Sequence, residues 1–166
     1  LLSKAAAMVI VVLAGILVLL GAAYLVPALM GNTTGGLHLG ALMLHMFVAS
    51  VFFGMLAMAI GAWTGNRGLA SGATAGIMVV GFIANGILPL VQGWENVAKA
   101  FPWYYYDAAD PLNRGADWGH LAVLLAGIAV LATVAVVGVR RRDLKERGVA
   151  TTILDRLRAN PRTKKI

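Results

Sequence analysis

The sequence predicts an all-α, polytopic membrane protein with four transmembrane helices and a short helical pair, interfacial or re-entrant, before the last span. Two observations lead to this prediction. Four apolar runs of at least 20 residues make up most of the chain, and each is long enough to cross a hydrocarbon core about 30 Å thick. The central part of each run also lacks Asp, Glu, Lys and Arg, so it has no polar face of the kind that a long helix needs in water.

The four runs divide the chain into a membrane domain and a tail. The predicted spans are residues 5–30, 39–63, 69–91 and 120–139. They belong to a transmembrane domain over residues 1–139, in which residues 92–119 form a longer polar connection, and residues 140–166 form a basic tail. The chain begins at Leu1 rather than Met, so we expect a processed or partial chain.

Charge predicts the orientation of these spans. The tail holds ten Lys or Arg residues against three acidic ones, and Arg140, Arg141 and Arg142 follow the last span directly. Arg67 is the only charge between the second and third spans, whereas residues 92–119 carry a net negative charge. By the positive-inside rule, both termini lie in the cytoplasm of a multi-pass plasma (inner) membrane protein. These four arginines then face lipid headgroups or a cytoplasmic partner, which argues against nucleic acid as the partner.

Residues 92–119 concentrate aromatic side chains. Seven of the thirteen aromatic residues lie there: Trp94, Phe101, Trp103, Tyr104, Tyr105, Tyr106 and Trp118. Trp and Tyr favour the membrane–water boundary, so an aromatic belt that anchors a loop is one interpretation. The other is an outer gate, for which the candidates are Phe101, Trp103, Tyr104 and Tyr105.

Three prolines predict how this connection is broken up. Pro89, Pro102 and Pro111 prevent one helix from crossing it, and a short helix over residues 91–101 is expected to end before Pro102. Two short interfacial or re-entrant helices are the resulting expectation.

Polar or bulky residues inside the spans are the candidates for a substrate pathway, because a polar group is costly to bury in lipid. We select His45, Phe52 and Asn85, of which Asn85 lies beside a predicted helix break at Gly86 and Pro89. His45 also has two other interpretations. It can form a hydrogen bond to a neighbouring helix, or it can be an axial haem ligand, although no second histidine faces it at the same depth.

Two further patterns concern packing and the tail. Gly68, Gly72 and Gly76 recur at four-residue spacing, which predicts close packing within the molecule or, alternatively, a dimer face. Thr152 begins a capping-box pattern, which predicts a short amphipathic helix that ends before Pro161 and lies on the inner leaflet or docks on an ATPase.

The end of the chain resembles a known family. Its motifs are Phe-Pro-Trp-Tyr-Tyr at 101–105, Asp-Pro-Leu at 110–112, Gly-Ala-Asp-Trp-Gly-His-Leu at 115–121 and Arg-Arg-Arg-Asp-Leu at 140–144. In this order they are similar to the C-terminal part of type-2 ABC exporter permeases, above all the actinobacterial multidrug or polyketide-antibiotic exporters. The resemblance implies that the four spans correspond to the last four of a six-span module.

The resemblance also implies a function. The chain would be the permease part of an ATP-driven exporter that moves a drug-like or lipophilic substrate by alternating access, together with a second permease half in a homodimer or pseudo-dimer. The sequence has no G-x-x-x-x-G-K-[ST] phosphate loop and no catalytic triad or carboxylate pair at membrane depth, so it is not expected to be an enzyme. A separate nucleotide-binding ATPase subunit would bind ATP and Mg, and no cofactor or metal is expected in this chain. The alternatives are a haem-binding membrane anchor of an electron-transfer complex and a structural membrane subunit.

Overall fold

The computed structural model describes residues 2–94 and 96–159, with side chains described as far as residue 142. These residues form helices and turns and contain no strand. Four helices are long and apolar enough to cross a membrane: Leu2–Leu29, Leu39–Thr64, Arg67–Leu90 and Trp118–Arg142. The predicted all-helical fold with four long apolar helices is therefore confirmed.

The helices follow one another in the order α1 to α6. Their bounds are α1 Leu2–Leu29, α2 Leu39–Thr64, α3 Arg67–Ile87, α4 Pro102–Asp107, α5 Pro111–Arg114 and α6 Trp118–Ala159. Two 3₁₀ turns, Leu88–Leu90 and Val97–Ala100, lie between α3 and α4. We call the end of the bundle formed by residues 31–38 and 88–117 the capped end, and the end formed by residues 64–67 and 140–142 the basic end.

Helix α2 is the centre of the bundle. It packs against α1, α3 and α6 along its length and against α4 and α5 at the capped end. Most of the buried side chains belong to it, whereas α1 buries only Ile16. Apolar side chains on the outer faces of the bundle remain exposed, for example Phe82 at 63%. In a membrane, lipid tails would cover those faces at little cost, because they are as apolar as the side chains themselves.

Small residues bring α2 and α6 close together. A Cβ added at Gly127 of α6 would lie 2.7 Å from Cε2 of Phe52, and one added at Gly138 would lie 2.7 Å from Cδ1 of Trp63. Non-bonded atoms do not approach each other this closely, so both positions require a glycine. The α2–α6 interface is therefore packed through large rings against glycines.

The glycine stripe of α3 is not used in this way. A Cβ added at Gly72 or Gly76 meets nothing within 4 Å, and one at Gly68 meets only the side chain of Asn66 at 3.4 Å. The expectation that this stripe packs within the molecule is wrong, because α3 turns Ala70, Thr74 and Gly81 inward instead. The stripe lies on an open face.

The basic end is closed by a short, well-capped turn. Gly65 ends α2 in the left-handed conformation with φ of 70°, and Asn66 Oδ1 accepts a hydrogen bond from the Leu69 N–H at 3.0 Å. The guanidinium of Arg141 lies 5.3 Å from the ring centre of Trp63. Arg67 begins α3 at the same end, where α6 carries Arg140, Arg141 and Arg142. The four arginines predicted to lie on one side of the membrane therefore lie at one end of the bundle.

Helix α6 continues far beyond the membrane-length part. It runs without interruption to Ala159, so Thr152 lies inside a helix and the predicted separate helix does not begin there. Residues 140–159 contain no proline and include six Arg, three Leu and two Ala, all of which favour the helix. Pro161, the expected stop, lies outside the described residues.

Residues 96–117 fold back across the end of the bundle at which α2 begins. Pro102 and Pro111 occupy the first turn of α4 and α5, so they begin helices, whereas the expected helix over residues 91–101 is reduced to the 3₁₀ turn Val97–Ala100. Proline suits the first turn, where its missing N–H is not needed. The Leu112 carbonyl accepts a hydrogen bond from the His38 N–H at 2.8 Å, which ties α5 to the beginning of α2.

Candidate substrate cavity and histidine cluster

Trp103 fixes α4 to the groove between α2 and α3. Its indole Nε1–H donates a hydrogen bond to the Met78 carbonyl at 2.8 Å. Its ring centre lies 5.7 Å from that of Phe53 on α2 and 5.5 Å from that of Phe82 on α3. A Cβ at Gly81 would come within 3.2 Å of Trp103 Cδ1, so the glycine makes room for the indole.

This indole lines part of a half-open cavity of about 280 Å³. The residues that line it are Met46, Ala49, Ser50, Phe53, Met78, Trp103 and Tyr106. The four from α2 follow the i, i+3, i+4, i+7 spacing of a single helix face. The lining contains no charged side chain, so the cavity suits an apolar occupant.

Two hydroxyl groups give the cavity its polar character. Among the described residues, neither Ser50 Oγ nor Tyr106 Oη makes a hydrogen bond. Burial raises the pKa of the Tyr106 phenol, and the neighbouring Asp107 carboxylate raises it further. The phenol therefore remains neutral at physiological pH and keeps its donor proton.

Asn85 lies beside the cavity and does not line it. Its Nδ2 donates a hydrogen bond to Asp107 Oδ2 at 3.2 Å, which joins the end of α3 to the end of α4. Together with the bond from Trp103 to Met78, this contact holds α4, which we call the cover, against α3 beside the cavity. Of the three predicted pathway residues, Asn85 therefore helps to fix the cover and is not part of the cavity lining.

Phe52 and His45 lie on the opposite side of α2. Phe52 packs against Gly127 and the core formed by Val48, Leu121 and Leu124. His45 is completely buried, and its Nε2 accepts a hydrogen bond from the Asp117 N–H at 3.2 Å. The structure therefore does not bring the three predicted pathway residues together.

His45 has one nitrogen without a partner. Its Nδ1 makes no hydrogen bond within the described residues, although the backbone of Tyr105 lies near the ring. The bond at Nε2 agrees with the interpretation in which His45 joins neighbouring helices. An axial haem ligand would have to give up that bond, so this geometry argues against the haem interpretation at His45.

Asp117 is a residue that the sequence prediction missed. Its Oδ1 accepts a hydrogen bond from the His120 N–H at 3.0 Å, which caps the beginning of α6, and its Oδ2 lies 3.3 Å from His120 Nδ1. The hydrogen bond from the His120 N–H lowers the pKa of the Asp117 carboxyl most, and the imidazoles of His120 and His45 lower it further. An Asp immediately before an apolar run is a signal for such a cap and would have found it.

The gate candidates separate onto two sides of the bundle. Phe101 and Trp103 lie against Gly81 of α3. Tyr104 and Tyr105 lie edge-on to the ring of His120, with ring centres 5.8 and 5.5 Å away. Only Trp103 of these four borders the cavity.

The described residues hold no group of three or more His, Cys, Asp or Glu side chains arranged to bind a metal ion. The fold and the cavity define a helical protein with four membrane-length spans and an aromatic cover at one end. Comparison of the chain with protein-family models, with curated proteins and with solved structures gave no match.

Proposed function

We propose that the chain is the membrane-spanning permease part of an ATP-driven exporter that moves a lipophilic substrate by alternating access. The observation that carries this proposal is the half-open apolar cavity lined in part by Trp103 and Tyr106 of α4, a helix that two hydrogen bonds hold against α3. An uncharged cavity inside a bundle with four membrane-length helices suits a molecule that partitions into lipid.

The cover supplies the gate in this proposal. Trp103 reaches the carbonyl of Met78, nine residues before the end of α3, which is about 13 Å along the helix axis. This depth favours α4 as a re-entrant element. Release of the Trp103–Met78 and Asn85–Asp107 bonds would move α4 off the groove and open the cavity at the capped end.

The basic end is the proposed cytoplasmic side of the plasma membrane. Arg67, Arg141 and Arg142 meet there around the α2–α3 turn, where a Cβ at Gly65 would lie 3.0 Å from Arg142 Nη1. This cluster suits anionic lipid headgroups and contact with a separate ATPase subunit, which would bind ATP and Mg. A second permease half would meet the open Gly72–Gly76 face, where helix backbones can approach closely.

Two experiments test this function. Purification of the full complex in mild detergent should recover a nucleotide-binding subunit together with the chain, and inverted membrane vesicles should accumulate a lipophilic dye only when ATP is added. Absence of the ATPase subunit and uptake without ATP would reject the exporter. A Soret band in the purified protein would favour the haem-binding alternative.

A further inference from the structure

The cavity is chemically selective for uncharged ligands. Its seven lining residues contain no Asp, Glu, Lys, Arg or His, and Tyr106 keeps a neutral phenol. A charged ligand would therefore lose its hydration without gaining a counter-charge, which costs several kcal/mol or more. The walls instead offer three aromatic rings, Phe53, Trp103 and Tyr106, and two methionines whose flexible thioethers adapt to flat rings.

The volume sets the size of the ligand. An apolar cavity of about 150 Å³ is large enough for benzene. The present cavity of about 280 Å³ is nearly twice that size, and it is smaller than the pockets of about 300–1,000 Å³ that hold drug-sized molecules. Two fused six-membered rings match it.

The two hydroxyl groups set the polar feature of the ligand. Ser50 lies on α2 and Tyr106 lies on α4, so they approach the cavity from two different elements. Neither makes a hydrogen bond among the described residues, and neither oxygen is among the fully buried unpartnered atoms, so each hydroxyl is accessible to a ligand. A ligand with one hydroxyl or carbonyl group would form a hydrogen bond with one of them.

We propose that this cavity binds an uncharged molecule of two fused aromatic rings that carries one hydroxyl or carbonyl group, held between Phe53 and Trp103 and hydrogen-bonded to Ser50 or Tyr106. The role of this molecule as a transported substrate rests on the proposed function, whereas its binding does not.

The test uses radiolabelled 2-naphthol and naphthalene with the full chain in lipid nanodiscs, and empty nanodiscs correct for partition into lipid. Wild type should bind 2-naphthol saturably and should bind naphthalene-2-sulfonate at least tenfold more weakly. Ala49→Phe fills the cavity and should abolish saturable binding. Val79→Phe enlarges a side chain that is 55% exposed on the outer face of α3 and should leave binding unchanged.

Ser50→Ala provides a milder variant for the case in which Ala49→Phe does not fold. Tyr106→Phe removes the other hydroxyl. At least one of these two variants should weaken the binding of 2-naphthol about fivefold and leave naphthalene unaffected, because only 2-naphthol can form the hydrogen bond. Equal binding by wild type and a folded Ala49→Phe variant would overturn the proposal, as would equal affinity for the sulfonate. It would also be overturned if neither Ser50→Ala nor Tyr106→Phe weakened the binding of 2-naphthol more than that of naphthalene.

Transport measurements separate this inference from the proposed function. Saturable naphthol binding without ATP-dependent export would leave the ligand assignment standing and reject the exporter. ATP-dependent export of naphthol that is unchanged in Ala49→Phe would support the exporter and reject this cavity as the site.

Discussion

The two sides of α2 differ in what faces them, although the helix is apolar all round. Phe52 points toward α6, where Gly127 lets its ring pack directly against the helix backbone. Phe53, the next residue, points toward α3 and α4, where Met78 and Trp103 leave a cavity of about 280 Å³. Of these two neighbouring phenylalanines, Phe52 therefore packs in the α2–α6 interface, and Phe53 lines the cavity. The residues of the neighbouring helices that face each phenylalanine decide whether its ring packs tightly or lines a cavity, and the sequence of α2 does not.

Polar groups do not follow the same division. On the α6 side, His45 Nε2 accepts a hydrogen bond from the Asp117 N–H, but the buried Nδ1 atoms of His45 and His120 make none within the described residues. On the α3–α4 side, the hydroxyls of Ser50 and Tyr106 also make no hydrogen bond among the described residues. The two sides therefore differ in how tightly they are packed, and not in how fully their polar groups are paired. Changes on each side should separate stability from transport.

The largest expected effect is at the glycine of the packed side. Gly127→Val would drive its side chain into the Phe52 ring, and overpacking of this kind costs about 1–3 kcal/mol. We expect the melting temperature in detergent to fall by several degrees. Gly21→Val in α1, where an added Cβ meets nothing within 4 Å, is the matched control and should change little. Phe52→Ala in the Gly127→Val background should recover part of the loss, and equal melting of the two valine variants would contradict the assignment.

A smaller effect is expected at His45. His45→Leu leaves the part-buried Asp117 N–H without its acceptor, which costs about 1–2 kcal/mol. His45→Gln can still accept that bond through its side-chain carbonyl and should restore most of the stability. Transport by His45→Gln should then approach the wild-type rate. A stable His45→Gln variant without transport would instead give His45 a role in the pathway.

The smallest effect is expected at the helix cap. Asp117→Ala removes the acceptor for the His120 N–H and should lower the melting temperature by about 3 °C at neutral pH. Because the folded-state pKa of Asp117 lies below its usual 3.8, the stabilisation from its charge is complete above that pH and is lost as the pH falls through the lower folded value. The difference between wild type and Asp117→Ala should therefore shrink only below about pH 4. A difference that already shrinks between pH 7 and 5 would contradict this assignment.

The helical spans were predictable because length and apolarity decide them. The predicted limits 39–63 and 120–139 lie within three residues of the membrane-length helices Leu39–Thr64 and Trp118–Arg142. The end of α6 was not predictable in this way, because a helix that leaves the membrane and continues gives no apolar signal. Pro102 and Pro111 were interpreted as interruptions, although the first-turn preference of proline also allows them to begin α4 and α5.

The cavity and the cover required the structure. Because α2 is apolar on every face, its sequence periodicity does not distinguish the side of Phe52 from that of Phe53. The approach of Trp103 to Met78 depends on a turn between residues 88 and 101 whose path no short motif specifies. Asn85 was predicted as a pathway residue, but it does not line the cavity, and its hydrogen-bond partner Asp107 lies 22 residues away in the sequence.

The central claim is that α4 must lift from α3 for a substrate to leave the cavity. The chain has no cysteine, so Asn85→Cys and Asp107→Cys together would provide a single pair of thiols. Joining them with a short bifunctional thiol reagent that a reductant can cleave should stop ATP-dependent transport in vesicles, and cleavage should restore it, while each single variant stays active under the same treatment. Transport that continues at the wild-type rate in the joined protein would contradict the account.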